Sequence, residues 1–398
     1  MNKPGRPLEG IRVIEFGHMV MGPTCGLILA DLGAEVIKVE PAPNGDNTRR
    51  LPGSGAGYFG AYNRNKKSVS INLKSSIGLE FATKLVASAD VLVENFGPGV
   101  LDQLGLGFET LKHVNPRLVY CALKGFLTGP YEHRAALDEV AQMMGGLAYM
   151  TGPTGQPLRA GASVNDIMAG LFGVIAVQAA LWERRQTGAG KFIRSGLFEN
   201  NLFLVAQHMV QFMQTGVPAV PMPERTAAWA VYDVFETGDK KKIFIGVVSD
   251  KQWSSFCSAF DLNDLANDQS LNTNAKRVAK RNTFLPRLRN ILKTRSLDEL
   301  ASLLEDIGLP FAPIGRPDEL IDDPHVNHPG ATVNVTLDNG SIAKVPSLPF
   351  EYDGVRPDLY LDLPKVGEHS EALAIEMGYT AEALEALRLE LGQESNEP

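Results

Sequence analysis

At 398 residues, with 44% hydrophobic and 21% charged side chains, the chain has room for two or three domains and the makeup of an ordinary globular protein. Its net charge of −8 speaks against nucleic acid as a partner, and no apolar run reads as long enough to span a bilayer, so neither nucleic acid nor a membrane is expected. Cys25, Cys121 and Cys257 are few, scattered and odd in number, which fits reduced thiols. The opening MNKPGRPLEG lacks the basic-then-apolar pattern of a signal peptide, and the expected compartment is the cytoplasm.

Strand and helix patterns alternate through the first third of the chain. Residues 11–16 (IRVIEF) are a short apolar run, and 22–32 carry a helical pattern. Residues 35–40 (EVIKVE) alternate as a strand does, and 77–87 are amphipathic. Two further strands, 91–94 (VLVE) and 118–123 (LVYCAL), flank a helical stretch at 101–113. This alternation predicts an α/β domain of the doubly wound, Rossmann-like kind, a parallel sheet covered on both faces. Ligands of such sheets bind beyond the carboxyl ends of the strands. The informative loops are therefore GHMVMGP (17–23), PAPNGDNTRR (41–50) and NFGPG (95–99). Near them Arg49, Arg50, Arg64, Lys66, Lys67 and Lys74 form a basic cluster, either a solvated face or a docking site for an anion.

The stretch 161–191 (GASVNDIMAGLFGVIAVQAALWERRQTGAGK) carries no charge between Asp166 and Glu183. Apolar residues on most of its faces predict a helix buried nearly all round, ended by Glu183, Arg184, Arg185 and the glycines at 188 and 190. Asp166 is placed at its N-cap, where a carboxylate either caps backbone N–H groups or is held as a nucleophile. A second apolar helix, 198–213, follows, and the proline-rich, aperiodic 216–228 predicts a linker. Strands at 230–235 and 242–248, with helices at 251–260, 281–292 and 297–307, predict a smaller α+β domain over 229–323. Another proline-rich passage leads to strand-like TVNV and SIAKV and a late helix at 380–391.

Several chemistries lack their motifs: there is no G-x-S-x-G elbow, Walker loop, HExxH or C-x-x-C. The run GSGAG (53–57) does not open a helix after a strand, which weakens it as a dinucleotide fingerprint. The seven histidines have no metal-ligand spacing, so no metal is expected. A carboxylate nucleophile stays open.

PLEGIRVIEF, GP followed by LADLGAEVIKVE and a GD-x-x-R, NRNKKSVSINLK, ADVLVENFGPG, NPRLVYCALKGF, GASVND and ERRQTGAGK occur in this order along nearly the whole chain. Together they closely resemble the class III CoA-transferases of the CaiB/BaiF or formyl-CoA-transferase type, nearest to the succinyl-CoA-dependent members that use dicarboxylates. The resemblance implies a large domain built from both chain ends: 1–215, then linker 216–228, small domain 229–323, and 324–398 as second linker and return to the large domain. It also implies a homodimer of interlocked subunits. Asp166 would be the nucleophile, and the reaction would pass through an aspartyl anhydride and an aspartyl-CoA thioester. The substrates would be an acyl-CoA and a small carboxylic acid, with coenzyme A arriving as a thioester rather than as a permanently bound cofactor.

By the same resemblance, Asn95, Phe96 and Gly97 match residues lining the CoA site, and Lys74 matches a basic residue near the nucleotide phosphates. Val20 and Met21 match the loop beside the thioester, Arg49 the Arg of the GD-x-x-R segment, and Asp138 an acid near the active site. Arg134 and Arg225 are candidates for the second carboxylate of an acceptor such as glutarate, mesaconate, itaconate or 3-sulfinopropionate. Two positions depart from the pattern: Gln103 replaces a basic residue of some relatives, and Leu137 replaces a tyrosine. Related α-methylacyl-CoA racemases carry a catalytic His at position 137, and a leucine cannot transfer a proton. The alternatives to transfer are such a racemase and a non-catalytic CoA-binding relative.

Overall fold

The computed structural model describes residues 5–225 and 228–390. They fall into two compact units, one comprising the chain up to Pro223 with the part from Pro324 onward, the other Glu224–Asp323. Among the described residues of the larger unit, six strands form one parallel sheet: β1 (Arg12–Phe16), β2 (Glu35–Pro41), β3 (Lys66–Ile71), β4 (Val91–Glu94), β5 (Val119–Lys124) and β6 (Lys191–Gly196). Their spatial order is 3-2-1-4-5-6, which reverses between β1 and β4 and opens a crevice at their carboxyl ends.

Adjacent residues on β1 and β4, such as Val13 with Ile14 and Val91 with Leu92, are fully buried on opposite faces. Both faces are apolar at these positions for that reason, since helices cover both sides. On one face, α1 (Met21–Asp31) and α4 (Val164–Thr187) enclose Val13, Leu29, Val91, Val119 and Val177. On the other, α2 (Ser76–Ala87) presses Phe81 and Leu85 onto Ile14, Leu92 and Ala122. Two more helices, α3 (Asp138–Met144) and α5 (Leu197–Thr215), pack beside α4.

Three expectations need correcting. The helix at 101–113 is two short ones, Val100–Gln103 and Phe108–Val114, separated where Gly105 takes φ +73°. The helix α4 is buried on one face only: Ala169, Gly173, Val174 and Val177 pack inward, whereas Phe172, Ile175 and Trp182 stay exposed. By length and composition α4 is also apolar enough to cross a membrane, contrary to the reading that no run is; here it lies against α1, β5, β6 and α5. The strands β3 (KKSVSI) and β6 (KFIRSG) were not foreseen, because their polar residues break the apolar pattern.

The polar residues of β3 are accommodated by buried ions. Glu15, Lys38 and Lys66 are fully buried; Lys66 Nζ lies 2.7 Å from one Glu15 oxygen and Lys38 Nζ 3.3 Å from the other. Lys38 also pairs with Asp46 at 2.9 Å, and Lys66 donates to the Pro23 carbonyl at 2.9 Å. Arg64 is buried against Asp31 at 2.6 Å. The basic cluster is therefore not one surface: Arg64 and Lys66 are spent inside the fold and Lys67 pairs with Glu35, whereas Arg50 and Lys74 stay exposed. The far edge of β3 is covered by the C-terminal segment. His369 N donates to the Ser68 carbonyl, Ser70 N to Ser370 Oγ, and Gly367 N to Ser68 Oγ.

The smaller unit is an antiparallel sheet of β7 (Val231–Glu236), β8 (Lys242–Val247) and β9 (Phe311–Pro313). Its helices Asp250–Ala259, Arg281–Leu292 and Leu297–Asp306 bury Trp253, Phe256, Leu288 and Leu304 with Phe235 and Ile245. A capping box, Ser296 with Glu299, starts the last of these helices.

Removing the carboxylate that two buried ammonium groups share should be costly. Glu15→Leu is expected to lower stability by about 3–5 kcal/mol, read as a lower urea midpoint. A companion Lys66→Met should recover a large part of that loss, since the uncompensated charge goes with it.

Candidate active site

The loop leaving β1 is fixed from two directions. Lys38 Nζ donates to the Gly17 carbonyl at 2.6 Å. Asn95, just past β4, accepts from His18 N at 3.0 Å and donates from Nδ2 to the His18 carbonyl at 2.9 Å. One amide thus ties the two loops together across the crevice. Gly22 is needed beneath it, because a Cβ there would lie 2.8 Å from Asn95 Oδ1. From the other side Lys124 pairs with Glu94 at 2.6 Å and donates to the Phe96 carbonyl at 2.9 Å.

These loops border a cleft of about 920 Å³ whose walls include His18, Met19, Ala42, Leu73, Lys74, Phe96, Gly97 and Leu104. The His18 and Phe96 rings lie 5.5 Å apart at its entrance to the sheet. Of the residues expected to bind coenzyme A, Lys74, Phe96 and Gly97 line this cleft, and Asn95 supports it from behind. Val20 and Met21 do not line it; they are buried where α1 begins. Arg49 is also withdrawn: it forks onto Glu40 at 2.8 and 2.7 Å, donates to the Pro364 carbonyl, and stacks 3.6 Å over Phe59. Three of its five donors are spent there, its NH1 nitrogen lies 3.5 Å from Asp338, and its side chain is buried away from the cleft. His18, Leu73 and Leu104 were missed; they carry no motif, although His18 lies on a loop the topology had marked.

Asp166 enters on α4. The second turn of α4 crosses so close to α1 that a Cβ on Gly170 would sit 2.9 Å from the Met21 carbonyl. This puts the start of α4 beside the loop between β1 and α1, at the carboxyl edge of the sheet. Asp166 is the third helical residue, not the N-cap; that position is Ser163, whose side chain makes no capping bond. The cap comes from another helix. Buried Asp138 accepts from Asn165 N at 2.8 Å and Asp166 N at 3.3 Å through Oδ1, and from Gln142 Nε2 at 2.5 Å through Oδ2. Asp138 was expected to touch the cofactor; the structure commits it to the N-terminus of α4.

The Asp166 carboxylate is consequently left unspent. It is half-buried and makes no hydrogen bond or ion pair among the described residues. Burial, reinforced by the charges of Asp138 and then Glu139, pushes its pKa up to about 7, with Arg159 pulling the other way. A cap would be hydrogen-bonded and acidic. A raised, unpaired carboxylate at a helix N-terminus has the character of a reacting group. Of the two arginines proposed for the acceptor, Arg134 lies on an exposed loop with its guanidinium 5.1 Å over Tyr131, and Arg225 belongs to the other compact unit. Neither is among the charges acting on Asp166. Leu137 is 67% exposed.

The elevated pKa fixes the sign of a stability effect. Between about 4 and 7 the folded chain holds a proton on Asp166 that the unfolded chain has lost, so stability falls as pH rises through that window. Asp166→Asn removes the penalty. The variant should be more stable than the parent at pH 8, with the difference fading toward pH 4; each tenfold change in proton affinity is worth about 1.4 kcal/mol. Urea denaturation at the two pH values checks this.

Comparison with known proteins is consistent over the whole length. Residues 8–370 match the model of CoA-transferase family III. The succinate–glutarate CoA-transferase of Agrobacterium fabrum is 34% identical over 394 residues, covering 93% of this chain and 96% of the relative. The succinyl-CoA:mesaconate CoA-transferase of Haloarcula hispanica is 30% identical over 365 residues, 86% of this chain and 91% of the relative. The crystal structure of a CaiB/BaiF family protein from Brucella suis superposes with a TM-score of 0.84 at 34% identity, covering 94% of this chain and all of that one. The chain belongs to CoA-transferase family III.

Proposed function

We propose that the protein moves CoA from succinyl-CoA to a small dicarboxylate, with Asp166 as the nucleophile. The observation that carries this reading is the half-buried Asp166 carboxylate, which no neighbour pairs with and whose pKa is raised to about 7. The substrate classes follow the relatives, which are named for succinate with glutarate and for succinyl-CoA with mesaconate.

In the first step an Asp166 oxygen attacks the thioester carbonyl of the donor; a C–O bond forms, the C–S bond breaks, and CoA leaves as the thiolate. The thiolate then attacks the aspartyl carbonyl of the resulting anhydride and expels the donor acid. The acceptor carboxylate attacks the aspartyl-CoA thioester, freeing the thiolate again and forming a second anhydride. Attack of the thiolate on the acceptor carbonyl returns Asp166 as a carboxylate. Each bond made matches one broken, so the cycle needs neither ATP nor metal. Asp138 holds the N-terminus of α4 while the Asp166 side chain reacts, so the covalent states do not cost the helix its cap. The cleft beside β1 and β4 suits the CoA moiety, with Lys74 at its rim for the phosphates and Phe96 and Leu104 for the apolar arm. The assembly we propose is the interlocked homodimer. Its support is the unpartnered apolar face of α4 and α5, where Ile175, Trp182, Phe203, Val210, Phe212 and Met213 are at least half exposed.

Asp166→Asn and Asp166→Ala should fold and lose turnover by at least about 10⁴-fold. Hydroxylamine added after succinyl-CoA should modify Asp166 and no other carboxylate, as read by peptide mass spectrometry. Substantial turnover by Asp166→Asn, with deamidation excluded by mass, would refute the assignment.

The nucleophile works as the anion. With its pKa near 7, kcat/KM for the acyl-CoA should fall roughly tenfold per pH unit below about 6 and level off above about 8. Sedimentation at nanomolar concentration should still find a dimer, since interlocked subunits bury far more than the roughly 1,600 Å² of a standard interface.

A further inference from the structure

We propose that Arg159 binds the second carboxylate of the dicarboxylate acceptor, and that Glu139 occupies it when the acceptor is absent. This rests on the transfer function and nucleophile proposed above. Arg159 lies on the loop before α4 and turns its guanidinium toward the start of α3. Its Nε donates to the Ala160 carbonyl at 3.1 Å, its NH2 nitrogen lies 3.4 Å from Asp138 Oδ2, and its NH1 nitrogen pairs with Glu139. Asp138 therefore has Arg159 on one oxygen and the peptide N–H of Asp166 on the other. The cation and the nucleophile are bracketed by a single carboxyl group, a span that the two ends of a four- or five-carbon diacid can cover.

The groups facing Asp166 are Asp138 and Glu139 from α3, Arg159 from the loop, and Tyr62 from the short helix Tyr58–Tyr62, whose hydroxyl feels the Asp166 charge. Arg159 is the cation in that set. Its two acidic partners are not equivalent. Asp138 is buried and held by two backbone N–H groups and Gln142, so it cannot turn away. Glu139 has a half-exposed side chain on the first turn of α3 and can swing into water. Acylation of Asp166 removes one negative charge from this group just as the acceptor brings two. An incoming carboxylate that displaces Glu139 meets the planar fork of Arg159 bidentately, a geometry lysine does not offer.

The test uses the full-length enzyme with saturating succinyl-CoA and two acceptors of equal length, glutarate and pentanoate. Arg159→Met should raise the KM for glutarate roughly 10- to 150-fold and leave pentanoate nearly unchanged. Glu139→Gln should lower the glutarate KM by removing the competitor. Hydroxylamine labelling of Asp166 in each variant shows whether the nucleophile still forms its covalent state, and Arg159→Lys, which keeps the charge, should lie between parent and Met. Equal losses for both acceptors, or a rise in glutarate KM in Glu139→Gln, would overturn the assignment of Arg159. A parent enzyme that accepts pentanoate as well as glutarate would instead overturn the dicarboxylate reading, and the role of Arg159 with it.

Discussion

Glu15, one residue before the end of β1, is fully buried, and its two oxygens are shared between the ammonium groups of Lys38 and Lys66. Through Lys38 it reaches Asp46 and the Gly17 carbonyl; through Lys66 it reaches the Pro23 carbonyl. Gly17 and Asp46 lie in loops at the carboxyl edge of the sheet, and Pro23 lies in the first turn of α1. A buried ion group of this kind is a poor source of stability, because desolvating each charge offsets much of the attraction. What it supplies is geometry. Glu15 of β1, Lys38 of β2 and Lys66 at the start of β3 are joined at one point, and Lys38 ties the loops after β1 and β2 to it through Gly17 and Asp46. Lys66 shows the strain of the arrangement: burial lowers its pKa to about 8 even with Glu15 beside it.

The same separation of support from chemistry recurs at α4. The first N–H groups of a helix need acceptors, and a carboxylate within the first turn would ordinarily serve. Here Asp138 serves from a different helix, so Asp166 is released from that duty. Its burial beside two other acids destabilises its charge and raises its pKa to about 7. The site is thus a local cost carried by a framework whose stability lies elsewhere.

Much of the frame was legible from residues alone. The strands β1, β4 and β5 show as short runs with few polar residues and β2 as an alternating one, and the topology they imply marks the loops that follow them. The polar strands were not legible, since Lys66, Ser68 and Ser70 become strand residues only when Glu15, Glu40 and a segment from the far end of the chain supply their partners. Apolar periodicity overstated the burial of α4, because it reports what a face is made of and not whether anything covers it. At the site, Asp166 lies three residues past the cap position that the pattern gave it, and Asp138, expected at the ligand, caps the helix. Arg49, marked by its motif, forks onto Glu40 inside the fold, while Arg159, with no motif, lies beside Asp138 and Glu139. Which cation faces an acid depends on side-chain packing that spacing does not encode.

The cover over β3 also sets an order of events during synthesis. Ser70 waits for Ser370, 300 residues further along, before its N–H is paired. At about 5–20 residues per second, a ribosome takes roughly 15–60 s to produce that stretch. For this interval the nascent sheet presents an unpaired edge of alternating serine and aliphatic residues to its surroundings, the kind of edge that recruits strands from other chains. Lys67 at its start, with a side chain one-third exposed, places a charge beside that edge before Ser370 is made, and charge is what keeps such an edge from pairing wrongly. That lysine thus guards the edge until the far end of the chain arrives to cover it.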